Sequence, residues 1–230
     1  MFEQVVRDYR NVTPATWSPL TNEDEMWHRL RLFHEMGQAF RCLDAPLQSL
    51  RVLDIGCGVG RSTRALLEWG FRPENMVAVD LRSQDIEFAR TLNPAITWVH
   101  LTDLRELSGL GSFDLCCQCT VFSSIKDKQE RMALATAMLQ TVRPGGHIFW
   151  WDRLYANDFA GGDRLCPAAY FAQCKVRYCR ECPTRWLPSQ CLRPLRGLTS
   201  ILEPLINRLG YKRTHAAMLF ECGSPSLGAG

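Results

Sequence analysis

Residues 51–62, RVLDIGCGVGRS, restrict what this chain can fold into more than any other stretch. β-Branched and apolar residues crowd Arg51-Val52-Leu53-Asp54-Ile55, and glycine closes the window, which predicts a buried strand. Gly56, Gly58 and Gly60 then turn the chain tightly and expose bare backbone. Residues 62–69, STRALLEW, continue as a helix. A strand, a glycine turn and a helix N-terminus form a nucleotide cradle, because unpaired N–H groups and the positive end of the helix dipole face the ligand. A dinucleotide fingerprint needs G-x-G-x-x-G/A, whereas here the spacing is G-x-G-x-G and Arg61 stands where the last small residue belongs. No Lys-Ser/Thr follows the glycines, which argues against a phosphate-gripping P-loop. Asp54, just before the glycines, would repel a pyrophosphate and suits a ligand with a cationic amino-acid end.

The chain then alternates strands and helices. Met76-Val77-Ala78-Val79-Asp80 predicts a second strand ending in a carboxylate. Asp80 follows the last glycine by about 20 residues, the spacing at which an acidic residue reaches ribose hydroxyls. Its other reading is an N-cap for a helix over residues 83–91. Residues 97–101 and 113–119 predict the third and fourth strands, 128–142 a helix, and 147–152 the fifth strand. Residues 175–182 predict a sixth strand, 188–209 one or two helices interrupted at Pro194 and Pro204, and 215–221 a closing strand.

Three passages resemble class I S-adenosylmethionine-dependent methyltransferases. They are VLDIGCGVG, then QCTVFSSI after the fourth strand, and RPGG after the helix that follows. The second is similar to a bacterial small-molecule methyltransferase-like subgroup in which it commonly reads QSTVFSSI, so Cys119 departs from the usual Ser. The likeness covers residues 51–157 and extends weakly to the end, where RTHAAMLF echoes a final strand. It implies an α/β, Rossmann-like doubly wound seven-stranded sheet, mostly parallel with an antiparallel last strand, plus an N-terminal helical lid. It implies S-adenosylmethionine as cofactor, cradled by Asp54, Gly56, Cys57, Gly58, Arg61 and Ser62. Asp80 and Leu81 would meet the ribose, and Asp103 and Leu104 the adenine, with a simple turn as the other reading of Asp103. Gln118, Cys119 and Thr120, at the end of the fourth strand, would flank the methionine part.

Open α/β sheets bind ligands at the carboxyl ends of their strands, so residues near those ends are substrate-pocket candidates. They are Val121, Phe122, Trp151, Tyr155 and Asn157, with Tyr9 and Trp17 brought over from the N-terminal segment. Ordinary core is the competing reading for the strand aromatics, above all the tryptophans. His28 is a base candidate that also reads as a surface residue, and His100 reads as core.

Asn22 and Glu25 form a capping-box pattern, and Met26, Leu30, Phe33, Phe40 and Leu43 follow at helical spacing, giving an amphipathic helix of about six turns. This helix either closes over the cofactor as a lid or covers the sheet. The domain reading is therefore 1–48 as lid or cover, 49–223 as the methyltransferase domain and 224–230 as a flexible tail. A net charge of +3, with basic residues not gathered in one run, argues against nucleic acid as substrate and favours a small, partly apolar one. No apolar run is long enough to span a bilayer, and no signal peptide is read at the start, so the expectation is a cytoplasmic protein without a membrane partner. The 11 cysteines then read as reduced thiols. Cys166, Cys174, Cys179, Cys182 and Cys191 cluster, and Cys179-Arg180-Glu181-Cys182 is a C-x-x-C, but no second one exists and the pair falls on a strand. Small core thiols are thus expected rather than a metal site. Two rivals to methyl transfer stay open. One is an S-adenosylmethionine enzyme that cyclises the cofactor's own side chain to azetidine-2-carboxylate and methylthioadenosine. The other is an inactive cofactor-binding module. The oligomeric state is not legible.

Overall fold

A computed structural model describes residues 23–155, 163–182 and 214–223. Tyr9, Trp17, Asn22, Asn157, Cys191, the predicted helices within 188–209 and the tail 224–230 lie outside the described residues. In chain order the elements are α1 (Glu23–Phe40), β1 (Val52–Ile55), α2 (Arg61–Glu68), β2 (Met76–Asp80), α3 (Ser83–Leu92), β3 (Thr97–His100), β4 (Phe113–Cys119), α4 (Lys128–Thr141), β5 (Val142–Arg153), α5 (Pro167–Tyr170), β6 (Lys175–Cys182) and β7 (His215–Glu221). Short 3₁₀ helices at Leu104–Leu110 and Phe122–Ser124 follow β3 and β4.

The strands form one seven-stranded sheet in the order β3-β2-β1-β4-β5-β7-β6. β1 to β5 pair in parallel, and β7 runs antiparallel between β5 and β6. The chain winds outward from β1 through β2 to β3, then returns to place β4 on the other side of β1. β1 and β4 therefore flank the topological switch point, where their carboxyl ends open a crevice. All four residues of β1 are buried, as expected for a central parallel strand covered on both faces.

β5 begins earlier than residue 147, because Val142 to Gly146 already lie in the strand. The sheet accommodates Pro144 there through a register shift opposite Phe113 and Leu115. Gly145 takes φ 76° in this bulge, and its N–H donates to the Cys222 carbonyl at 2.7 Å.

Two apolar layers sandwich the sheet. One gathers Leu53, Ile55, Phe122, Leu134, Met138, Trp150, Phe171 and Phe220, with α4 and α5 above it. The other gathers Val52, Leu115, Phe149, Trp151 and Leu219 against Leu32, Met36, Ala39 and Phe40 of α1 and Leu66 of α2. α1 ends at Phe40, one turn short of the sequence expectation, and Leu43 packs beyond its end. Gly37 admits α1 close to α2: a Cβ there would lie 2.4 Å from the Trp69 ring. Phe33 stacks on that ring with centroids 4.4 Å apart. No helix among the described residues is long and apolar enough to cross a membrane.

α1 also reaches the far edge of the sheet through a buried carboxylate. Glu35 is fully buried, and its Oε2 accepts the Tyr178 hydroxyl of β6 at 2.5 Å. Arg31 and Arg180 lie 3.7 and 3.8 Å from its Oε1. Removing one partner of a buried charged hydrogen bond leaves the other's desolvation uncompensated. Tyr178→Phe is therefore expected to lower the urea-unfolding free energy by about 1–3 kcal/mol with the fold retained.

Candidate active site

The crevice at β1 is made by three left-handed glycines. Gly56, Gly58 and Gly60 have φ of 69°, 52° and 77°, a region that residues with a side chain rarely adopt. Steric contact adds to this at both ends. A Cβ on Gly56 would lie 2.3 Å from Val121, and one on Gly60 2.4 Å from Trp98. The N–H groups of Gly56 and Cys57 donate to the Val79 carbonyl of β2 at 2.9 and 3.1 Å, which fixes the turn to the sheet. α2 starts immediately afterwards with no side-chain cap, so its first amides face the crevice.

Asp54 sits beneath this turn at 1% exposure. Its Oδ2 accepts the hydroxyls of Ser62 at 2.8 Å and Thr63 at 2.6 Å. Its Oδ1 is buried without a hydrogen-bond partner among the described residues. Burial raises the carboxyl to about 6 against the opposing effect of the two hydroxyls.

Asp80 ends β2 and braces the same turn. Its Oδ2 accepts the Gly58 N–H at 2.7 Å and its Oδ1 the Arg82 N–H at 2.9 Å. The N-cap position of α3 is Arg82 rather than Asp80. Leu81, partly buried, packs on the core, and its carbonyl lies 3.1 Å from His100 Nε2. His100 is exposed, contrary to the core reading, because it is the last residue of a peripheral strand.

Asp103 is the N-cap of the 3₁₀ helix Leu104–Leu110 and forms a capping box with Glu106. Its carboxylate also takes Arg105 Nε at 3.0 Å and the Arg105 terminal nitrogen at 2.9 Å. These hydrogen bonds pull it down to about 2. The turn role is thus met directly, while the side chain stays 41% exposed at the crevice side of β3. Leu104 beside it is partly buried.

The end of β4 is held by its own side chains. Gln118 is buried, with Oε1 accepting the Val121 N–H at 3.1 Å and Nε2 donating to the Trp151 carbonyl at 3.4 Å. Thr120 takes φ 63°, unusual for a β-branched residue. Its N–H donates to the Trp151 carbonyl at 2.7 Å, and such a conformation costs on the order of 1–3 kcal/mol. Cys57 is buried and Cys119 partly buried, and burial pushes both thiols up. Arg61 pairs with Glu25 of α1 at 2.6 Å. This link between α1 and the start of α2 was missed in the sequence, where Glu25 read only as a capping residue.

The acceptor-side candidates separate. Phe122 is fully buried in the opposite apolar layer, against Trp150, Tyr170 and Phe171, so it is core and not a pocket wall. Val121 is partly buried and lies against Gly56. Tyr155 is exposed and bridges to Arg164. Trp151 is fully buried on the α1 face, where it stacks on His215 at 5.2 Å between centroids. His28 closes the group, 5.8 Å from Trp151 and 5.2 Å from His215, and its Nε2 accepts the Trp151 indole N–H at 3.5 Å. Burial, then the nearby Arg153, lowers His28 to about 4. Burial and His28 itself lower His215 to about 2. Both rings are neutral at pH 7. His28 is therefore part of a ring cluster rather than a surface residue, and His215 joins it only because β7 runs antiparallel beside β5.

Asp152 was also overlooked as a site element. It is fully buried, accepts the Ser123 N–H at 3.2 Å and the Arg153 N–H at 2.8 Å, and so holds the Phe122–Ser124 turn against β5. Its only sequence signal was an acid ending an aromatic strand. Of the clustered cysteines, Cys182 is buried and Cys174 partly so, whereas Cys166 and Cys179 are exposed, which corrects the core reading for those two. Among the described residues no three His, Cys, Asp or Glu side chains are grouped to hold a metal.

Residues 52–146 match a protein family described as a methyltransferase domain. The chain is 34% identical over 123 residues to the cypemycin N-terminal methyltransferase of a Streptomyces species, covering 51% of this chain and 48% of that protein. It thus spans about half the length, or less, of the curated relatives it matches. Among solved structures, the N-methyltransferase NodS of Bradyrhizobium japonicum, in complex with S-adenosyl-L-homocysteine, superposes with a TM-score of 0.64 at 16% identity, covering 97% of this chain and 98% of that one. The magnesium protoporphyrin IX methyltransferase of Synechocystis, with S-adenosylmethionine bound, gives 0.65 at 14% identity, covering 96% of each chain. The last two likenesses are of fold. Residues 52–146 are thus similar to a methyltransferase domain, and the fold is similar to that of methyltransferases solved with S-adenosylmethionine or S-adenosyl-L-homocysteine.

The buried acids and imidazoles oppose each other in their pH dependence. Between pH 6.5 and about 4 the unfolded chain holds a proton that folded His28 does not, so this contribution weakens as pH falls. Asp152 has its pKa raised from 3.8 to about 6, so the folded chain binds the extra proton and stability rises as pH falls through 6. Asp152→Asn removes that second effect. Its melting is expected to fall more steeply than wild type between pH 7 and 5, by about 1 kcal/mol over the interval, as read by urea unfolding at each pH.

Proposed function

We propose that the protein transfers a methyl group from S-adenosylmethionine to a heteroatom of a small, partly apolar molecule. The observation that carries this reading is Asp54 Oδ1, a buried carboxylate oxygen under a left-handed glycine turn that has no hydrogen-bond partner among the described residues. A lone buried acceptor calls for a donor, and a cationic one would hold the carboxylate ionised although burial has raised it to about 6. The amino group of the cofactor's methionine part has that chemistry. When bound, S-adenosylmethionine supplies an already activated methyl on a sulfonium.

The chain's own residues bind, orient and exclude water. Gly56 and Gly58 bring bare backbone to the ligand, with Cys57, Ser62 and the first amides of α2 around it. Each oxygen of Asp80 spends one lone pair on a backbone N–H and keeps another for a ribose hydroxyl, with Leu81 alongside. Asp103, exposed and ionised, with the backbone of Leu104, would take the adenine edge. Gln118, Cys119 and Thr120 shape the wall by the methionine part. Arg61 acts at one remove, by fixing α1 to this wall through Glu25.

On the acceptor side, the lining is partly buried Val121 and His28, the latter backed by the buried Trp151 and His215, and the imidazoles carry no charge at pH 7. That lining suits a partly apolar acceptor, and the net charge of +3 gives no field suited to nucleic acid. A heteroatom target is favoured because the cypemycin relative and NodS are both described as acting on nitrogen or an N-terminus. We assign 1–48 as cover or lid, 49–223 as the catalytic domain and 224–230 as a tail, with Tyr9, Trp17, Tyr155 and Asn157 kept as pocket candidates.

Calorimetry with S-adenosylmethionine is expected to show one site per chain, and Asp80→Ala to weaken it by about 1–3 kcal/mol. Absence of binding to the folded wild type would reject the proposal. Mass spectrometry after incubation with cofactor and candidate amines or alcohols is expected to give S-adenosylhomocysteine and a methylated product. Methylthioadenosine in its place would reject methyl transfer.

A further inference from the structure

Cys174 and Cys222 face each other at the end of the sheet remote from the crevice, with their sulfur atoms 3.3 Å apart. Cys174 immediately precedes β6 and Cys222 immediately follows β7, one step beyond the antiparallel pair Lys175 and Glu221. Both backbones are pinned. The Cys174 N–H donates to the Phe171 carbonyl at 2.9 Å, and the Cys222 N–H donates to the Gly146 carbonyl at 2.8 Å. Cys222 is buried and Cys174 is only partly so, which leaves one sulfur within reach of a small reagent and the other behind it. A disulfide needs the sulfurs about 2.05 Å apart, so a shift of only about 1.3 Å would join them. The hydrogen bond between the thiols lowers Cys174 and raises Cys222, so Cys174 is the first to ionise. The buried thiols Cys57, Cys116 and Cys117 are pushed the other way by burial.

We propose that Cys174 and Cys222 are a reversible dithiol–disulfide site that reacts with small-molecule disulfides and clamps β6 to β7. The Cys174 thiolate attacks one sulfur of the oxidant, and a thiolate leaves, giving a mixed disulfide. Cys222 then loses its proton and attacks the Cys174 sulfur, releasing the second thiol. Two protein thiols are oxidised by two electrons, and one small disulfide is reduced to two thiols. The new bond closes a loop between positions 48 apart in sequence, which includes the whole connection from β6 to β7. Closing a loop of that length restricts the unfolded chain strongly. The bond would form beside the pair His147 and Glu221, whereas the ring cluster lies at Arg153 and His215, at the other end of the same strands. The clamp therefore stabilises the sheet edge without entering the crevice.

The test is to incubate the 230-residue chain with oxidised glutathione at pH 8, alkylate remaining thiols under denaturing conditions and map peptides by mass spectrometry. The expected product is two hydrogens lighter, carries a Cys174–Cys222 cross-link, melts on the order of 5–10 °C higher and reverts with dithiothreitol. Cys222→Ser should stop at a glutathione adduct on Cys174, without the rise in melting temperature. Cys174→Ser, at the more exposed position, should form neither adduct nor cross-link at this site. A wild-type chain whose Cys174 adduct never resolves, a cross-link between other cysteines, glutathione found only on the exposed Cys166 and Cys179, or a cross-link that leaves the melting temperature unchanged would each overturn the proposal.

Discussion

Asp54 places a carboxylate inside a strand covered on both faces, and much of the surrounding structure answers that constraint. A buried charge needs hydrogen bonds, and among the described residues the donors to Oδ2 are Ser62 and Thr63 in the first turn of α2. Those hydroxyls reach it only if the chain reverses within five residues, which three left-handed glycines permit. The turn is in turn braced by Asp80 and by the Val79 carbonyl of the neighbouring strand. Asp54 thus couples β1 to α2, Asp80 and Val79 tie the turn to β2, and one oxygen of Asp54 keeps no hydrogen-bond partner among the described residues. The arrangement also explains why Gly56 and Gly60 tolerate no side chain: Val121 and Trp98 already fill the space a Cβ would take.

Elsewhere the layers are registered by a few buried polar groups instead of by apolar packing alone. Glu35 joins α1 to β6, Glu25 joins it to α2, and Asp152 pins the turn after β4 to β5. Arg131 is 1% exposed, donates to the carbonyls of Ile125 and Lys126 and to Tyr170, and so connects α4 with α5. Apolar contacts are non-directional, whereas each of these groups is costly unless its particular partner is present. They select one docking of the helices out of the several that the same hydrophobic area would allow.

The crevice has two halves of different origin. The half we propose for the cofactor comes from residues close in sequence to the ends of β1, β2, β3 and β4. The half we propose for the acceptor is backed by His28, Trp151 and His215, the first two lying 123 positions apart in sequence. Burial holds these imidazoles uncharged at pH 7. A class of enzymes that shares one cofactor and varies its acceptor would be expected to divide in this way, since the fold fixes one half and the tertiary approach of distant elements fixes the other.

Local sequence by itself determined the sheet. The strands at Met76–Asp80, Phe113–Cys119, Lys175–Cys182 and His215–Glu221 have the limits read from their apolar and β-branched runs, because turn residues bound each run sharply. The glycine turn and the acid before it were equally legible, since their chemistry depends on neighbours a few residues away. Tertiary structure decided what depends on which face a strand turns to which partner. Phe122 looked like a pocket wall beside the crevice, but the turn that Asp152 holds sends it to the opposite layer. His100 looked like core until β3 proved to be peripheral in the sheet. His28 acquired its ring partners only through the packing of α1 on β5 and β7, and Cys174 met Cys222 only through the antiparallel pairing of β6 with β7. The physical reason is the same in each case. Periodicity and turn chemistry are local and are written along the chain, whereas burial and contact between distant residues arise only when the sheet order brings them together.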